Sequence, residues 1–258
     1  MATVCVLNMK GGVGKTTTAI HLAVGLARRK QRVLLVDSDP QGTVGHVFGA
    51  SAPNTIREVL LGSCDAADAI TPGIRDNLDL LTASPTAFGV ERVLASAKTP
   101  ELTLAERLAP LDRYDTVVLD TSPSMSLLTF NALLAADWLV IPVGMDQTAI
   151  IGARQTMNGV AEVQRLWPDR RVELLAVLPT FVNVFTVASR ATLAALDEDP
   201  VLGPHVFGHG IRQCLDLTYA SARQQTIWEY APRSHAAADF DLLVDHVRRR
   251  RRPRRRPR

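Results

Sequence analysis

Cysteine is scarce in this sequence, which has three among 258 residues. Cys5, Cys64 and Cys214 are too few and too widely separated for a disulfide framework or a paired-cysteine metal site. Such cysteine usage is typical of a reducing, cytosolic compartment. Long hydrophobic runs are also lacking, since the least charged stretch, residues 121–145, contains two prolines, an asparagine and an aspartate. It therefore predicts a helix followed by a buried strand and not a membrane span.

Lysine is almost as scarce, with four residues against 25 arginines, and nine of those arginines lie in residues 248–258. That segment has no acidic residue, so the net charge of +3 divides into −6 for residues 1–247 and +9 for the tail. This division argues against a protein that coats nucleic acid with a uniformly basic surface. It predicts one domain over residues 1–247 and a disordered arginine-rich tail, 248–258, that binds a polyanion, either nucleic acid or an anionic membrane.

Short apolar runs recur along residues 1–247, with helical spacing of apolar residues between them. Continuous apolar runs without alternation are typical of strands buried on both faces of a parallel sheet. The predicted strands are Ala2–Leu7, Val33–Val36, Leu78–Leu81, Thr116–Leu119, Trp138–Val143 and Leu174–Leu178. The clearest predicted helices are Thr17–Arg29, Thr86–Ala97, Ser124–Ala136 and Ile150–Leu166. The alternation predicts a doubly wound α/β fold with a mostly parallel sheet flanked by helices.

Residues 8–17, NMKGGVGKTT, join the first predicted strand to the first predicted helix. Glycines allow a backbone to curl so that several N–H groups point at one phosphate, and the helix that follows adds its positive N-terminal end. We expect Lys15 to reach the β- and γ-phosphates and the Thr16 hydroxyl to ligate Mg²⁺. The residues expected to bind the nucleotide here are Gly11, Gly12, Val13, Gly14, Lys15, Thr16 and Thr17.

This loop departs from the standard spacing G-x-x-x-x-G-K-[ST], because Met9 occupies the place of the first glycine. Lys10 follows it, so two of the four lysines of the chain lie in one loop. In a chain that otherwise uses arginine, this placement indicates that compact, strongly hydrated ammonium groups are needed there. The alternative is a glycine-rich turn with incidental lysines.

The segment KGGVGKTT, residues 10–17, resembles the deviant Walker A motif of the ParA/MinD family of P-loop ATPases. The resemblance extends to VLLVDSDPQG (33–42), YDTVVLDTSP (114–123), the strand and glycine of 140–152, and YAPRS (230–234). It covers nearly all of residues 1–247 and is nearest to small, Soj-like partition ATPases. Since the phosphate loop begins at residue 10, we expect no N-terminal helix-turn-helix domain.

The resemblance implies ATP-dependent homodimers in which two protomers enclose two ATP molecules with Mg²⁺. Lys10 and Lys15 would contact phosphates, Lys10 from across the dimer interface, and Asp39 would position the attacking water. Thr16 and Asp120 would hold Mg²⁺, with Asp37 as a weaker candidate, because a lone aspartate after a strand is commonly a turn former or helix cap.

The base of the nucleotide is implied to lie near Asn183 and Pro232. For Asn183, the role of an ordinary turn residue is an equal alternative. Ser122 stands where the family usually has a proline in its second switch segment, so the rigidity of that segment is expected to differ.

Three functions remain open within the family. A ParA-type ATPase is cytoplasmic and nucleoid-associated, binds DNA non-specifically, and is stimulated by a ParB-like adaptor on a cargo. A MinD-like ATPase binds membrane through an apolar C-terminal helix face, but this chain ends in arginine and proline, so we expect no stable membrane insertion. A polybasic tail still attracts anionic lipid. A metabolic or metal-transfer relative would need a cysteine pair or a substrate-pocket motif, and neither is found in the sequence.

The ParA-type function is favoured by the residues VDSDPQG, where MinD-type proteins differ. Residues 211–217 resemble the DNA-contacting segment of the family, although Asp216 stands where a basic residue is common. Tail arginines would supply phosphate contacts without base recognition. A solubilising tail without a partner is the alternative. The predicted DNA-binding residues are Arg212, Arg248, Arg249, Arg250, Arg251 and Arg252.

Overall fold

The computed structural model describes residues 1–83 and 89–250. Seven strands are found in this part of the chain: β1 Ala2–Val6, β2 Val33–Asp37, β3 Ile70–Arg75, β4 Leu78–Leu81, β5 Thr116–Asp120, β6 Trp138–Val143 and β7 Glu173–Pro179. All six predicted strands are present. The strand that the sequence did not predict, β3, contains Pro72 and Gly73, which interrupt its apolar character.

Twelve α-helices are found in the described residues. They are α1 Lys15–Arg28, α2 Thr43–Phe48, α3 Ile56–Leu61, α4 Ala66–Ala69, α5 Val90–Leu94, α6 Thr103–Leu108, α7 Leu127–Ala135, α8 Gln147–Leu166, α9 Val187–Asp197, α10 Leu215–Ala222, α11 Ile227–Tyr230 and α12 His235–Arg250. Four of them, α1, α5, α7 and α8, lie where the sequence predicted helices, with bounds that differ by a few residues where both ends are described. Helix α8 begins three residues earlier than predicted because the Asp146 side chain caps it, accepting a hydrogen bond from the amide of Ala149. The start of the predicted helix Thr86–Ala97 lies outside the described residues.

The strands form one sheet in the order β3-β4-β2-β5-β1-β6-β7. Every neighbouring pair is parallel except β3 and β4, which form an antiparallel hairpin at one edge. Helices cover both faces, and strand residues alternate between two apolar cores. Val4 and Val6 pack with α1 and α12, whereas Cys5 and Leu7 pack on the opposite side. The predicted doubly wound, mostly parallel α/β fold is confirmed.

Parallel pairing brings the ends of the central strands together. Val6, the last residue of β1, pairs with Asp120 at the end of β5, and Asp120 also pairs with Asp37 at the end of β2. The carboxyl edge of the sheet, defined as the edge where these parallel strands end, therefore collects the phosphate loop and two of the predicted acidic residues. Ligands of doubly wound folds bind at this edge.

The C-terminal helix extends beyond the predicted domain boundary. Helix α12 runs to Arg250, so the first three residues of the predicted tail are helical. Cations are favourable at a helix C-terminus because they face its negative end. Residues 251–258, including Arg251 and Arg252 of the predicted DNA-binding set, lie outside the described residues. None of the helices described here is both long and apolar enough to span a membrane.

Candidate functional site

The phosphate loop, residues 8–17, is a curled segment with unused amide groups. Gly12 and Gly14 have positive φ angles of 74° and 82°, and Gly14 is the N-cap of α1. Glycine adopts this conformation without the steric cost that other residues incur. Within residues 1–83 and 89–250, none of the seven backbone N–H groups of residues 11–17 donates a hydrogen bond. Such a row of free amides at a helix N-terminus is a binding site for an anion.

Three contacts from outside the loop hold it in place. The Asn8 side-chain amide donates to the carbonyl of Pro142 at 2.7 Å, and its carbonyl oxygen accepts from the amide of Lys10. The Met9 amide donates to the Thr156 hydroxyl at 3.0 Å. The Thr180 hydroxyl donates to the carbonyl of Val13 at 2.9 Å. The loop is thus preorganised by β6, α8 and β7, and its open amides cost no rearrangement when they bind an anion.

Helix α8 approaches the loop closely because Gly152 has no side chain. A β-carbon at Gly152 would lie 2.9 Å from the Asn8 side-chain oxygen and 2.9 Å from the β-carbon of Lys10. This glycine belongs to the segment 140–152 that resembles the family. A larger residue there would push α8 away or distort the loop.

Lys15 is buried at the start of α1, and its ammonium group donates to the carbonyl of Lys10 at 2.9 Å. Burial lowers its pKa from the ordinary value, and the nearby carboxylates of Asp120 and Asp39 oppose that change. Lys15 therefore lies within electrostatic range of both Asp39 and Asp120 at the carboxyl edge. A buried cation beside free amides adds charge to the anion site.

Asp120 has two buried carboxylate oxygens, and neither accepts a hydrogen bond from the described part of the chain. Burial, followed by the charge of Asp37, raises its pKa well above the ordinary value, while the nearby Thr16 hydroxyl opposes the change. A buried carboxylate without partners is costly unless a cation or donor completes it. This orphaned group fits a site for a divalent cation.

Asp37 differs from Asp120 in having both oxygens occupied. One accepts from the amide of Asp39 at 3.1 Å and the other from the amide of Val44, in the first turn of α2, also at 3.1 Å. Burial raises its pKa, and these backbone hydrogen bonds oppose the change. Its contacts are those of a turn former and helix cap, the alternative that its sequence position left open.

Asp39 lies half-buried after β2, and its carboxylate accepts from the amide of Gln41 at 3.0 Å. No three His, Cys, Asp or Glu side chains in the described ranges gather into a group that could hold a metal ion alone. A cation bound at Asp120 would therefore take most of its ligands from water and from phosphate, which is usual for Mg²⁺.

Lys10 is turned towards α8 in the single chain. Its ammonium group donates to the Asp146 carboxylate and to the Thr148 hydroxyl, each at 2.5 Å. The two partners of the ion pair are partly exposed, with 27% of the Lys10 side chain and 51% of the Asp146 side chain accessible. Asp146 and Thr148 were not predicted from the sequence, although Asp146 follows a strand that ends at the carboxyl edge.

A cavity of about 440 Å³ lies beside the loop. Its walls include Lys10, Asn183 and Phe181, and the Phe181 ring packs against Gly14. Asn183 reaches this cavity, but its side-chain oxygen accepts from the amide of Phe185, as a turn residue does. Pro232 is exposed in the turn between α11 and α12 and does not line the cavity.

Arg212 lies on a different surface, where its guanidinium forms an ion pair at 2.7 Å with Asp239, whose side chain is fully buried. The amide of Arg212 also donates to Asp239. Burial opposes ionisation of Asp239, but hydrogen bonds from Arg212 and His209 hold its pKa below the ordinary value. Most donors of Arg212 are thus engaged within the chain. Arg248, Arg249 and Arg250 are exposed on the last turn of α12.

Comparison with known proteins identifies the family. A family model described as an AAA domain (AAA_31) matches residues 1–172. The chain is 38% identical to the sporulation initiation inhibitor protein Soj of Bacillus subtilis, over 95% of this chain and 97% of that protein. It is 36% identical to the chromosome-partitioning ATPase Soj of Thermus thermophilus, over 95% of this chain and 94% of that protein.

A solved structure agrees with this assignment at the level of the whole fold. Cobyrinic acid a,c-diamide synthase from Mycobacterium smegmatis, crystallised with an ATP analogue and magnesium, superposes with a TM-score of 0.84 at 29% identity. The match covers 96% of this chain and 95% of the synthase. Family model, curated relatives and fold agree: the chain belongs to the ParA/Soj family of P-loop ATPases.

Proposed function

We propose that this protein is a ParA-type partition ATPase that uses ATP and Mg²⁺, dimerises with ATP bound, and binds DNA without sequence preference. In this proposal it resides on the nucleoid in the cytoplasm, and a ParB-like adaptor stimulates hydrolysis to move or position a cargo. The observation that carries the nucleotide part is the row of seven free amides beside a buried lysine and an orphaned buried carboxylate.

The residues of the loop have separate tasks in this proposal. The amides of Gly11–Thr17 and the ammonium of Lys15 bind the phosphates, and Thr16 and Asp120 hold Mg²⁺. When bound, Mg²⁺ would neutralise charge on the phosphates. Asp37 supports this site indirectly by fixing the turn that carries Asp39. Asn183 bounds the base side of the cavity, and Pro232 approaches the base only if the turn after α11 moves.

Asp39 is proposed to orient the attacking water. A carboxylate orients water well but is a weak base, which suits slow hydrolysis that waits for a stimulating partner. Its position beside Lys15 and Asp120 supports this role.

Lys10 is proposed to reach the nucleotide of the partner protomer. To do so it must exchange Asp146 and Thr148 for the partner's phosphates. A partly exposed ion pair of this kind contributes only about 1 kcal/mol or less. Breaking this ion pair therefore requires little free energy. A second cation near the transferring phosphoryl group then stabilises its charge, as an arginine finger does.

The partition function is favoured over other activities of the same fold by the relatives. The fold also serves a synthase, so fold likeness alone does not select the function. Identity of 36–38% over 94–97% of the length of two Soj proteins supports partition.

Substitution of Asp39 tests the catalytic assignment. We expect Asp39→Asn, which keeps an acceptor for the Gln41 amide, to bind ATP and form dimers but to release phosphate at least about 100-fold more slowly. Dimers would be measured by light scattering and turnover by phosphate release. Normal turnover in Asp39→Asn would show that another group positions the water.

Co-sedimentation tests the partner assignment. The full chain would be mixed with duplex DNA or with anionic vesicles, each with ATP and with ADP. Stronger DNA binding with ATP than with ADP is the expected result. ATP-dependent binding to vesicles without binding to DNA would instead favour a MinD-like membrane ATPase and overturn the proposal.

A further inference from the structure

Helices α1 and α12 pack in parallel along one face of the sheet. His21 stacks on Phe240 with ring centroids 4.5 Å apart, and further along both helices Arg29 forms an ion pair with Asp245 at 2.7 Å. Helix α1 starts at the phosphate loop, so both helices end at the amino edge of the sheet, defined as the edge where the parallel strands begin. Fourteen residues of helix place this edge about 20 Å from the loop.

Each of these two helix ends carries three consecutive cations. Arg28, Arg29 and Lys30 end α1, and Arg248–Arg250 form the last turn of α12. Arg29 is not available to bind a ligand, because it forms ion pairs with both Asp241 and Asp245 and only 17% of its side chain is exposed. The charges of Arg248 and Arg249 also act on Asp245. The two cationic helix ends are therefore neighbours on one surface.

Arg28 and Lys30 are the cations of the first group that remain available. Both are exposed, and neither forms an ion pair with an acidic residue in the described part of the chain. The Arg28 guanidinium lies 4.6 Å from the centroid of the Trp228 ring, which positions it by cation–π contact. The favourable interaction of a cation with the negative end of a helix explains one basic residue at the end of α1. It does not explain why two basic residues without acidic partners lie together on the wall of a cavity.

That cavity has a volume of about 910 Å³, and Arg28, Lys30 and Arg75 lie on its walls with Trp228. Two acidic residues also line it, Asp76 and Glu229. Glu229 is neutralised by Arg75 through an ion pair at 2.6 Å. The wall formed by the end of α1 therefore has an excess of positive charge.

We propose that the amino edge is a DNA-binding surface in which Arg28 and Lys30 act together with Arg248–Arg250. Six further arginines follow in residues 251–258, so the cationic series continues along the chain. Repeating phosphates of a DNA backbone match such a series, whereas a single small anion would use only a part of it. The inference rests on the proposed DNA binding and adds where the DNA is held.

DNA fits this surface better than an anionic membrane does. The apolar residues Leu243, Val244 and Val247 of α12 are completely buried, and the exposed apolar side chain of this helix, Leu242, lies two turns before its end. Residues 244–250 therefore offer no apolar face to insert among lipids. Arg28 and Lys30 line a concave wall, which a ridge of phosphates enters and a flat lipid surface does not. Because this surface is remote from the phosphate loop, each protomer presents one DNA-binding surface whether ATP or ADP is bound. ATP strengthens DNA binding because dimerisation joins two such surfaces.

The experiment uses the full chain and fluorescein-labelled duplex DNA of mixed sequence, titrated at several salt concentrations with ATP and with ADP. The test variant is Arg28→Gln with Lys30→Asn. Glutamine can still cover Trp228, and asparagine tolerates the positive φ of 64° at Lys30. The matched control, Arg92→Gln with Lys98→Asn, removes one exposed arginine and one exposed lysine from the region of α5. Like the test residues, neither forms an ion pair with an acidic residue among the described residues. Thermal unfolding of both variants, and of Lys30→Asn alone, checks the fold.

We expect the test variant to lower the slope of log affinity against log salt by about 1.8 with either nucleotide, about 0.9 for each lost phosphate contact. The control keeps the wild-type slope. Equal slopes in test and control variants, with ATP-dependent DNA binding intact, would overturn this inference and leave the proposed function standing. If the wild-type chain bound no DNA with either nucleotide, both would fail. The wild-type chain and both variants are also co-sedimented with anionic vesicles. A loss of vesicle binding without loss of DNA binding in the test variant would overturn the inference and identify lipid as the ligand.

Discussion

The two edges of the central sheet carry charge in opposite ways. At the carboxyl edge, Lys15 and Asp120 are buried, and the amides of the phosphate loop are left open between them. At the amino edge, Arg28 and Arg248–Arg250 are exposed on helix ends. Buried charge in fixed positions suits one small ligand of defined shape, because each group acts at short range in a low dielectric. Exposed arginines suit a long polyanion, because the gain comes from many weak, salt-dependent contacts.

The choice of cation follows the same difference. Two of the four lysines of the chain lie in the phosphate loop, whereas most cations of the amino edge are arginines. A compact ammonium fits among converging amides, whereas a planar guanidinium forms contacts on an open surface with several donors.

The largest effect expected at either edge comes from Lys15→Ala. Loss of a buried cation beside the free amides should weaken ATP binding by about 100-fold or more. Fluorescent nucleotide titration would measure this effect. Lys30→Ala, a change of the same kind at the amino edge, should leave ATP affinity unchanged. Equal losses in both variants would mean that the two edges do not act separately.

A pH-dependent effect is expected from His21, which lies between the edges on α1. Its Nδ1 donates to the carbonyl of Thr17 at 2.8 Å, and its Nε2 accepts from the amide of Ile227 at 3.0 Å. Burial lowers its pKa to about 4, against the opposing influence of the Thr17 carbonyl and of Glu229. In the unfolded chain the pKa of His21 returns to its ordinary value of about 6.5. At a pH between about 4 and 6.5 the unfolded state therefore binds a proton at His21 that the folded state does not bind.

The free energy of unfolding should therefore fall by about 2 kcal/mol from this group as the pH is lowered from 7 to 5. Urea unfolding at the two pH values measures it. His21→Gln should be less stable at pH 7 but should lack this part of the pH dependence. The same pH dependence in both proteins would assign the effect to other groups.

A smaller effect is expected from Gly25→Ala, where α1 packs against Val244 of α12. A β-carbon there would lie 2.3 Å from a γ-carbon of Val244, a stiff β-branched residue. Overpacking should cost about 1–2 kcal/mol after the gain in helix propensity, with ATP affinity retained. Chemical unfolding would show the loss, and Val244→Ala in the same chain should recover part of it. No recovery in the double variant would place the strain elsewhere.

The smallest effect concerns the influence of one edge on the other. Removal of residues 248–258 should change ATP affinity by less than about twofold, because about 20 Å exceeds two screening lengths of about 8 Å at physiological salt. The same truncation should lower the salt dependence of DNA binding, by up to about 0.9 per lost contact. A large change in ATP affinity would show that the two edges are coupled.

The strands and the phosphate loop were predictable because their signals are local. Continuous apolar runs identify strands buried on both faces, and β1, the loop and α1 follow one another directly in the sequence. The edge strand β3 was missed because Pro72 and Gly73 interrupt its apolar pattern. It forms a strand nevertheless, because it pairs with β4 in an antiparallel hairpin. Asp146 was missed as a partner of Lys10 because 136 residues separate them.

Two assignments depended on contacts that no local pattern reports. Arg212 and Asp239 are 27 residues apart, and only the docking of α12 directs that guanidinium at a buried carboxylate. The difference between Asp37 and Asp120 is of the same kind. Both end a strand, but the start of α2 provides an amide for Asp37, whereas neither carboxylate oxygen of Asp120 has a hydrogen-bond partner among the described residues.

The sequence by itself determined the family, the fold class, the phosphate loop and the division of charge between residues 1–247 and the tail. These depend on residue type, order and short spacing, which the sequence states directly. Only the tertiary structure decided which carboxylate is left open for a cation, where Lys10 is held, and that the arginine series begins at the edge opposite the nucleotide loop. Those outcomes depend on how α1, α8 and α12 pack against the sheet. Packing is set by side chains far apart in the sequence that meet only when the apolar faces are buried together.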